Sequence, residues 1–368
     1  MIFELRIMKK ILILCPSPFG TAPTQRLKYE QYLHLLSMEG FQFTISPFQS
    51  KRFWRIIYKR GWILEKVFWT TIGYFRRFFD LLRSPFYDGV YVNLWVTPFG
   101  FPFFERLICL LNNRVIYDID DMVFMTGSDN SRRSIIQKLK GTRKPIVLMK
   151  KARYVIVCTP KLEEIALSLN KYKNVVDISS TLDTERFTPV EAYFNKKKIT
   201  IGWTGTHSTI PFLISLQPVL FRVTQLREIK LLVIANKEFK MEGVDTEFIH
   251  WTSEKEIDDL HKIDIGLYPI PSNEWSLGKS SLKALTYMAI AIPFVATAYG
   301  TNYRIMENGV QGFMASNDEE WIEYIIQLID DVELRKKMGI EGRRRVVDYY
   351  SLNANLPKYL KVFKTVVK

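Results

Sequence analysis

IDIGLYPIPSNEWSLGKSSLKALTYMA, residues 263–289, is the stretch on which the reading of this 368-residue chain turns. It begins as a short β-prone apolar run, Ile263–Tyr268, and breaks into a loop that holds Pro269 and Pro271. The loop carries Glu274, Trp275, Gly278 and Lys279. Ser280 and Ser281 then open a helix over Leu282–Ala289. The first turn of a helix has amide groups with no partner inside the helix, and a glycine lets a ligand approach the backbone closely, so the junction predicts an anion site. Lys279 and Lys283 stand one helical turn apart and add positive charge to one face. The expected ligand is a phosphate or diphosphate; the competing reading is an ordinary helix start with solvated lysines. Gly278-Lys279-Ser280 does not complete a Walker A loop, because that motif needs a glycine where Asn273 stands. Gly202 and Gly205 lack the spacing of a dinucleotide-binding glycine motif.

Outward from this stretch, strands and helices alternate. Lys198–Trp203, Lys230–Ala235, Phe248–Trp251 and Pro293–Ala296 read as strands, and Ile210–Leu226 and Ser253–His261 as helices. Nearer the N-terminus, Lys9–Pro16, Phe41–Ile45, Gly89–Leu94, Arg114–Tyr117 and Tyr154–Cys158 read as strands. Thr24–Glu39 reads as a helix closed by Gly40. This alternation predicts α/β architecture with parallel, helix-covered sheets. Residues 188–198, TPVEAYFNKKK, interrupt the pattern and read as a linker. The expected organisation is a first domain over 1–187, the linker 188–198, a second domain over 199–345, and a C-terminal segment 346–368. A helix near Leu356–Val366 in that segment returns to the first domain. Two such units make a cleft, and open α/β sheets bind ligands at the carboxyl ends of their strands.

Composition limits the classes. Hydrophobic content of 47% with 24% charged residues is that of a globular protein, and neither repeats nor low-complexity tracts occur. Cys15, Cys109 and Cys158 are far apart in apolar runs, which fits buried thiols in a reducing compartment and no metal or redox motif. The run Ile11–Cys15 is too short for a signal peptide, and no apolar run reaches the length of a membrane span. A cytoplasmic protein is expected, with any membrane contact peripheral on the inner face of the plasma membrane. Residues 1–7 read as an extension ahead of the first strand. The net charge of +14 points to an anionic partner.

The order of several short motifs resembles glycosyltransferase family 4. Asp264-Ile-Gly-Leu-Tyr-Pro269, Tyr287-Met-Ala289 and Ile292-Pro-Phe-Val-Ala-Thr-Ala-Tyr-Gly300 follow that family's sequence of strand, helix end and strand. Asn308-Gly-Val-Gln-Gly-Phe313, the run Leu334–Arg344 and Tyr350-Ser351 are similar to its C-terminal signatures. Leu182-Asp183 with Phe187-Thr-Pro189 is similar to the segment before its linker. The resemblance implies a GT-B fold, two Rossmann-like parallel-sheet domains facing a cleft. It implies transfer of a sugar from a nucleotide diphosphate sugar to a hydroxyl, with retention at the anomeric carbon. It further implies no essential metal and no cofactor beyond the donor. The acceptor would be a glycan or lipid-linked glycan, as in cell-surface polysaccharide synthesis. Family members carry two glutamates in this loop and helix; here they fall on Gly278 and Thr286, which marks a divergent subgroup. Glu274 is then the displaced carboxylate and, with Lys279, a catalytic candidate. Gly278, Ser280, Ser281 and Lys283 are donor-binding candidates. By the same resemblance Gly205, Thr206 and His207 face the donor diphosphate and Trp251 falls in the base-stacking segment; for Trp251 a plain core role is the alternative, and for His207 a solvated one.

In the first half, Ser17–Arg26, with Gly20, resembles the family's glycine-bearing loop after its first strand, and Arg26 with Tyr29 and Tyr32 is similar to an "R…Y..Y" helix start of the divergent subgroup, a surface arginine being the alternative. Gly20 and Arg26 are candidates for donor or acceptor contact. Val115–Phe124 runs into Asp118, Asp120 and Asp121, and carboxylates crowded at a strand end repel unless a partner compensates them. By position this strand resembles the one whose loop bears acceptor-side groups in the family, and the resemblance makes Asp120 and Asp121 the candidates to orient an acceptor hydroxyl, a structural capping role being the alternative. The same string supports a rival, a Mg²⁺-dependent phosphatase with Asp118 as nucleophile, although the motif's last position is missing. A catalytically inactive GT-B scaffold is the other alternative.

Residues 51–83 mix nine basic residues with ten aromatic ones, and a second basic run covers Arg132–Arg153. Helices of this composition lie in the headgroup plane of anionic membranes; the bland reading is a cationic face over core aromatics. No nucleic-acid module is recognisable, so no nucleic-acid partner is expected.

Overall fold

The computed structural model describes residues 8–125, 141–189 and 197–368. Residues 1–7, most of the expected linker and the start of the second basic run lie outside the described residues. The chain divides into two units, one of residues up to Ser180 together with Asn355–Lys368, the other Thr181–Ala354.

The first unit is a six-stranded parallel sheet: β1 (Lys9–Cys15), β2 (Phe41–Pro47), β3 (Gly89–Asn93), β4 (Val115–Asp118), β5 (Tyr154–Val157) and β6 (Val175–Asp177), in the order β2-β1-β3-β4-β5-β6. Ile11 to Cys15 are fully buried, as the central strand of a sheet covered on both faces must be. Register pairs Ile13 with both Ile45 and Tyr91. From Asn355 onward the C-terminal helix Leu352–Val366 packs here. Its Tyr359 lies on Tyr32 at 4.3 Å between ring centroids, and Phe363 lies parallel to Tyr91 at 5.9 Å.

The continuous helix expected over Thr24–Glu39 is broken into Pro23–Arg26, a single turn at Glu30–Tyr32, and Leu33–Met38. The interruption turns Lys28 and Tyr29 inward: Lys28 reaches Asp118, and Tyr29 packs on Tyr91 at 5.1 Å.

The second unit repeats the architecture with β7 (Ile199–Gly205), β8 (Ile229–Ala235), β9 (Thr246–His250), β10 (Ile265–Tyr268), β11 (Phe294–Thr297) and β12 (Phe313–Ala315), in the order β12-β11-β10-β7-β8-β9. Its core joins Trp203, Leu231, Val233 and Leu267 to Leu220 and Val223 of one covering helix and Trp321 and Ile325 of another. The helix expected over Ile210–Leu226 is two, Ile210–Ile214 and Gln217–Leu226, each with a proline in its first turn, where the missing N–H costs nothing.

The sequence places the domain boundary after Phe187, which is too late. Leu182 N–H donates to Tyr350 O at 2.9 Å, Arg343 donates to the carbonyls of Thr184, Phe187 and Ala289 at 2.5–2.7 Å, and Arg186 pairs with Glu256 at 3.1 Å. These bonds tie 181–187 into the second unit, and Val346–Ala354 belongs there too.

Candidate functional site

In the second unit the chain runs outward from β7 through β8 to β9, then crosses to β10 on the other side of β7. The carboxyl ends of β7 and β10 are therefore a topological switch point, where open α/β sheets leave room for a ligand. The loops that leave these two strands are the ones the sequence singles out.

Tyr287 fixes the junction. Its hydroxyl lies 3.3 Å from the carbonyls of Gly202 and Leu267 and accepts from Thr204 N–H at 3.3 Å, tying β7 to β10. The ring fits because residue 266 is glycine: a Cβ there would fall 2.6 Å from Tyr287. This tyrosine, seen in the sequence only as part of the Tyr-Met-Ala signature, bridges the two strands beside their backbone ladder.

The loop after β10 forms one tight turn, Glu274–Gly278, capped by Asn273, whose Oδ1 accepts from Ser276 N–H at 3.1 Å. Glu274 is exposed and Gly278 is buried. The helix starts at Leu282, not at Ser280. Ser281 precedes it in the left-handed region, φ 57°, which is strained for a residue with a Cβ. It is buried, and its hydroxyl donates to Asn302 Oδ1 at 2.7 Å, while Asn302 in turn donates to Thr297 O at 2.8 Å. The expected serine cap is instead a strut that holds the helix start against β11. Ser280 is half-buried beside it.

The two lysines rest on tryptophans. Lys279 Nζ lies 3.7 Å from the Trp275 ring centroid, and Lys283 Nζ lies 4.4 Å from that of Trp203 and 3.3 Å from Thr209 Oγ1. Among the described residues no carboxylate pairs with Lys283. Burial, and then the charge of Lys279, pull its amine down to about 7. A Cβ on Gly205 would meet the Trp203 ring and fall 2.8 Å from Lys283 Nζ, so only glycine leaves the amine in place. Thr206 and Ser208 share a hydrogen bond of 2.8 Å, and Thr206 N–H donates to Thr209 Oγ1 at 3.2 Å. His207 is exposed, and its N–H donates to Asn236 Oδ1 at 2.7 Å. Lys279, Lys283, Gly205 and Thr206–Thr209 thus gather at the switch point, with Trp203, Thr209 and Asn236 added by the structure. Trp251 is half-buried after β9, and its indole N–H donates to Glu256 at 3.3 Å.

In the first unit, Gly20 takes φ 76°, and its N–H donates to Glu30 Oε2 at 2.9 Å, so that amide is already engaged within the chain. Gln25 bonds both main-chain groups of Ser17 at 2.8 and 3.0 Å, which fixes the loop, and Arg26 is half-buried beside it. Asp118 is sealed: Lys28 Nζ lies 2.5 Å from Oδ1, and the Tyr91 hydroxyl bonds Oδ2. A phosphoryl-accepting nucleophile must be reached by its substrate, so the phosphatase reading falls. Asp120 and Asp121 are half-buried beyond it. Burial raises the Asp120 carboxyl to about 6 against the pull of Lys28. Its carbonyl accepts from Cys158 Sγ at 3.2 Å.

The family described as "Glycosyl transferases group 1" matches residues 236–345, from the end of β8 to the helix Val332–Arg345. The second unit carries a group 1 glycosyl transferase domain. A "Probable sucrose-phosphate synthase" of Thermosipho melanesiensis is 26% identical to this chain over 121 residues, 32% of the chain and 27% of the relative, so the match spans about a quarter of that relative's length. Among solved structures, a sucrose-phosphate synthase from Thermosynechococcus elongatus superposes with a TM-score of 0.68 at 14% identity, covering 98% of this chain and 99% of that one. Anabaena HepE in complex with UDP superposes with a TM-score of 0.62 at 12% identity, covering 97% and 100%. The fold is GT-B. Within the transferase domain, the positions of the family's paired glutamates hold the buried Gly278 and Thr286, whose hydroxyl donates to Leu282 O at 2.9 Å. Neither can accept a hydrogen bond as a carboxylate would.

Proposed function

We propose that this chain transfers a sugar from a nucleotide diphosphate sugar to a hydroxyl of a glycan or lipid-linked glycan, with retention, in the synthesis of a cell-surface polysaccharide. The carrying observation is Lys283, half-buried at the switch point with its amine against an indole face and a hydroxyl and with a second lysine nearby. A partly buried amine that has no carboxylate beside it is left short of a counter-charge, and a diphosphate would supply it. As the bond from the anomeric carbon to the diphosphate oxygen breaks, negative charge grows on the leaving group. Lys279, Lys283 and the hydroxyls of Thr206 and Ser208 are the groups that would stabilise it. Trp251 is the candidate to stack on the base. A fold neighbour was solved with UDP, which makes UDP the first probe. Asp120 and Asp121 are assigned to the acceptor hydroxyl, Asp120 as the proton acceptor because its raised pKa brings it nearer neutral pH. The basic and aromatic surface of residues 51–83 is assigned to an anionic membrane, where a lipid-linked acceptor would be found. Peripheral attachment to the inner face of the plasma membrane follows from that assignment.

A thermal-shift screen against UDP, GDP, ADP and their sugars tests the reading. Expected are protection by one nucleotide series, slow hydrolysis of the matching sugar donor, and loss of that hydrolysis in Lys279→Ala. Absence of protection by any of them would favour the inactive scaffold, the reading that the missing glutamates at 278 and 286 support.

A further inference from the structure

The segment proposed above to face a membrane folds as the helices Lys51–Ile56 and Ile63–Arg83. Between them lies an apolar groove of about 550 Å³ lined by Phe53, Ile57, Ile63, Val67, Tyr74 and Phe99, a volume in the range of small-ligand pockets. Phe48 forms its floor because residue 73 is glycine: a Cβ there would fall 2.6 Å from the Phe48 ring. Of the lining residues Ile63 is 72% exposed and Val67 59%, and Leu64, next to Ile63 in the chain, is 87% exposed. Trp62, also exposed, holds the strained left-handed conformation, φ 58°, that starts the long helix. Three neighbouring aliphatic side chains this exposed are unusual on a soluble surface and mark a contact site.

Charge selects the occupant. Residues 51–83 hold nine basic groups, of which Arg77 is fully buried, and two acidic ones. Both acids are already engaged, Glu65 by Arg52 at 2.6 Å, and Asp80 by Arg77 at 2.7 Å and Arg83 at 2.6 Å. A second copy would bring like charge against this face, whereas an anionic lipid surface complements it. Among the described residues no helix is long and apolar enough to cross a membrane, so contact through this face would be interfacial.

We propose that this groove seats one hydrocarbon chain of an anionic bilayer lipid, with Ile63, Leu64 and Val67 entering the acyl layer and the surrounding lysines and arginines holding the headgroups. This rests on the assignment of 51–83 to a membrane and goes further, because it predicts depth as well as adhesion. Trp69 and Trp95, which pack against the Phe48–Phe53 cluster, report that depth.

The test mixes the full chain with phosphatidylcholine vesicles, with and without about one third phosphatidylglycerol, a fraction chosen to give the strongly anionic surface that basic segments need. Sedimentation is followed together with quenching of tryptophan emission by lipid brominated in mid-chain. The wild type should sediment with the anionic vesicles and be quenched. Val67→Glu with Thr71→Glu, both at exposed positions that leave the fold intact by circular dichroism, should lower vesicle affinity about tenfold or more, through lost apolar burial at Val67 and through repulsion of two new carboxylates by the anionic surface. The same variant should abolish quenching while leaving nucleotide protection unchanged. Sedimentation of the wild type with no mid-chain quenching would overturn the groove assignment and leave surface adhesion standing. Absence of sedimentation would overturn both. A wild-type dimer in solution that Val67→Glu dissociates would assign the groove to a second copy instead.

Discussion

Each unit holds a lysine amine at the carboxyl end of its sheet, Lys28 buried and Lys283 half-buried, and the two lysines have opposite surroundings. Lys28 meets Asp118 at 2.5 Å; Lys283 meets the Trp203 ring, Thr209 and the neighbourhood of Lys279. Burial pulls both amines down. At Lys28 burial is the largest single influence, but Asp118, Cys158 and Asp120 together outweigh it and the amine ends above its usual range, whereas at Lys283 nothing opposes burial and the amine falls to about 7. The first lysine is complete within the chain and belongs to the fold. The second is incomplete, which is the signature of a site.

The largest effect that could break this contrast is on stability. Lys28→Ala leaves Asp118 buried and unpaired, and should cost the first unit about 3–5 kcal/mol, read in its urea unfolding transition. Lys28→Met with Asp118→Leu should recover most of that loss, because an ion pair replaced as a whole leaves no orphan charge. Lys283→Met should cost the second unit little, since methionine removes a desolvated amine. Equal losses at 28 and 283 would erase the distinction.

A second effect is pH dependence. With its folded pKa lowered to about 7, Lys283 binds fewer protons folded than unfolded between about pH 7 and the usual lysine range. Stability of the unliganded second unit should therefore rise with pH across that window, and the rise should vanish in Lys283→Met. A bound diphosphate would hold the amine protonated, so binding above pH 7 should take up a proton and weaken as pH rises. Calorimetric titration in buffers of different ionisation enthalpy reads that proton directly. Asp120 has the opposite sense. Its folded pKa of about 6 adds stability as pH falls from 6 toward the normal carboxylate range.

The smallest expected effect concerns the strut. Ser281→Ala removes the bond to Asn302 and keeps the left-handed strain, and should cost about 1–2 kcal/mol. Ser281→Gly loses the same bond but relieves the strain, and should be closer to neutral. A few-fold loss of nucleotide affinity in Ser281→Ala would show that the helix start positions Lys283.

Much of the fold was readable from the chain because parallel strands buried on both faces appear as apolar runs: Lys9–Pro16 and Lys230–Ala235 needed no tertiary information. Lys28 was not readable. A lysine inside a helical pattern reads as solvent-facing, and only the packing of β4 reveals that it turns inward to Asp118. The lysine pair of the transferase domain was visible as composition around Gly278. What local pattern could not give was strand order, and it is strand order that brings the end of β7 beside β10 and sets Trp203, Gly205 and Thr209 against Lys283. The same limit misplaced the domain boundary, since Arg343 captures Thr184 and Phe187 from far along the chain.

Titration of UDP into the wild type and into Lys283→Met near pH 7, with GDP and ADP as the other bases, tests the central claim most directly. A transferase whose donor diphosphate rests on Lys283 should bind one of these nucleotides and lose about ten- to a hundredfold in affinity with methionine, the range for a hydrogen bond to a charged group. Unchanged affinity in the variant, or no binding of any of the three to the wild type, would contradict it.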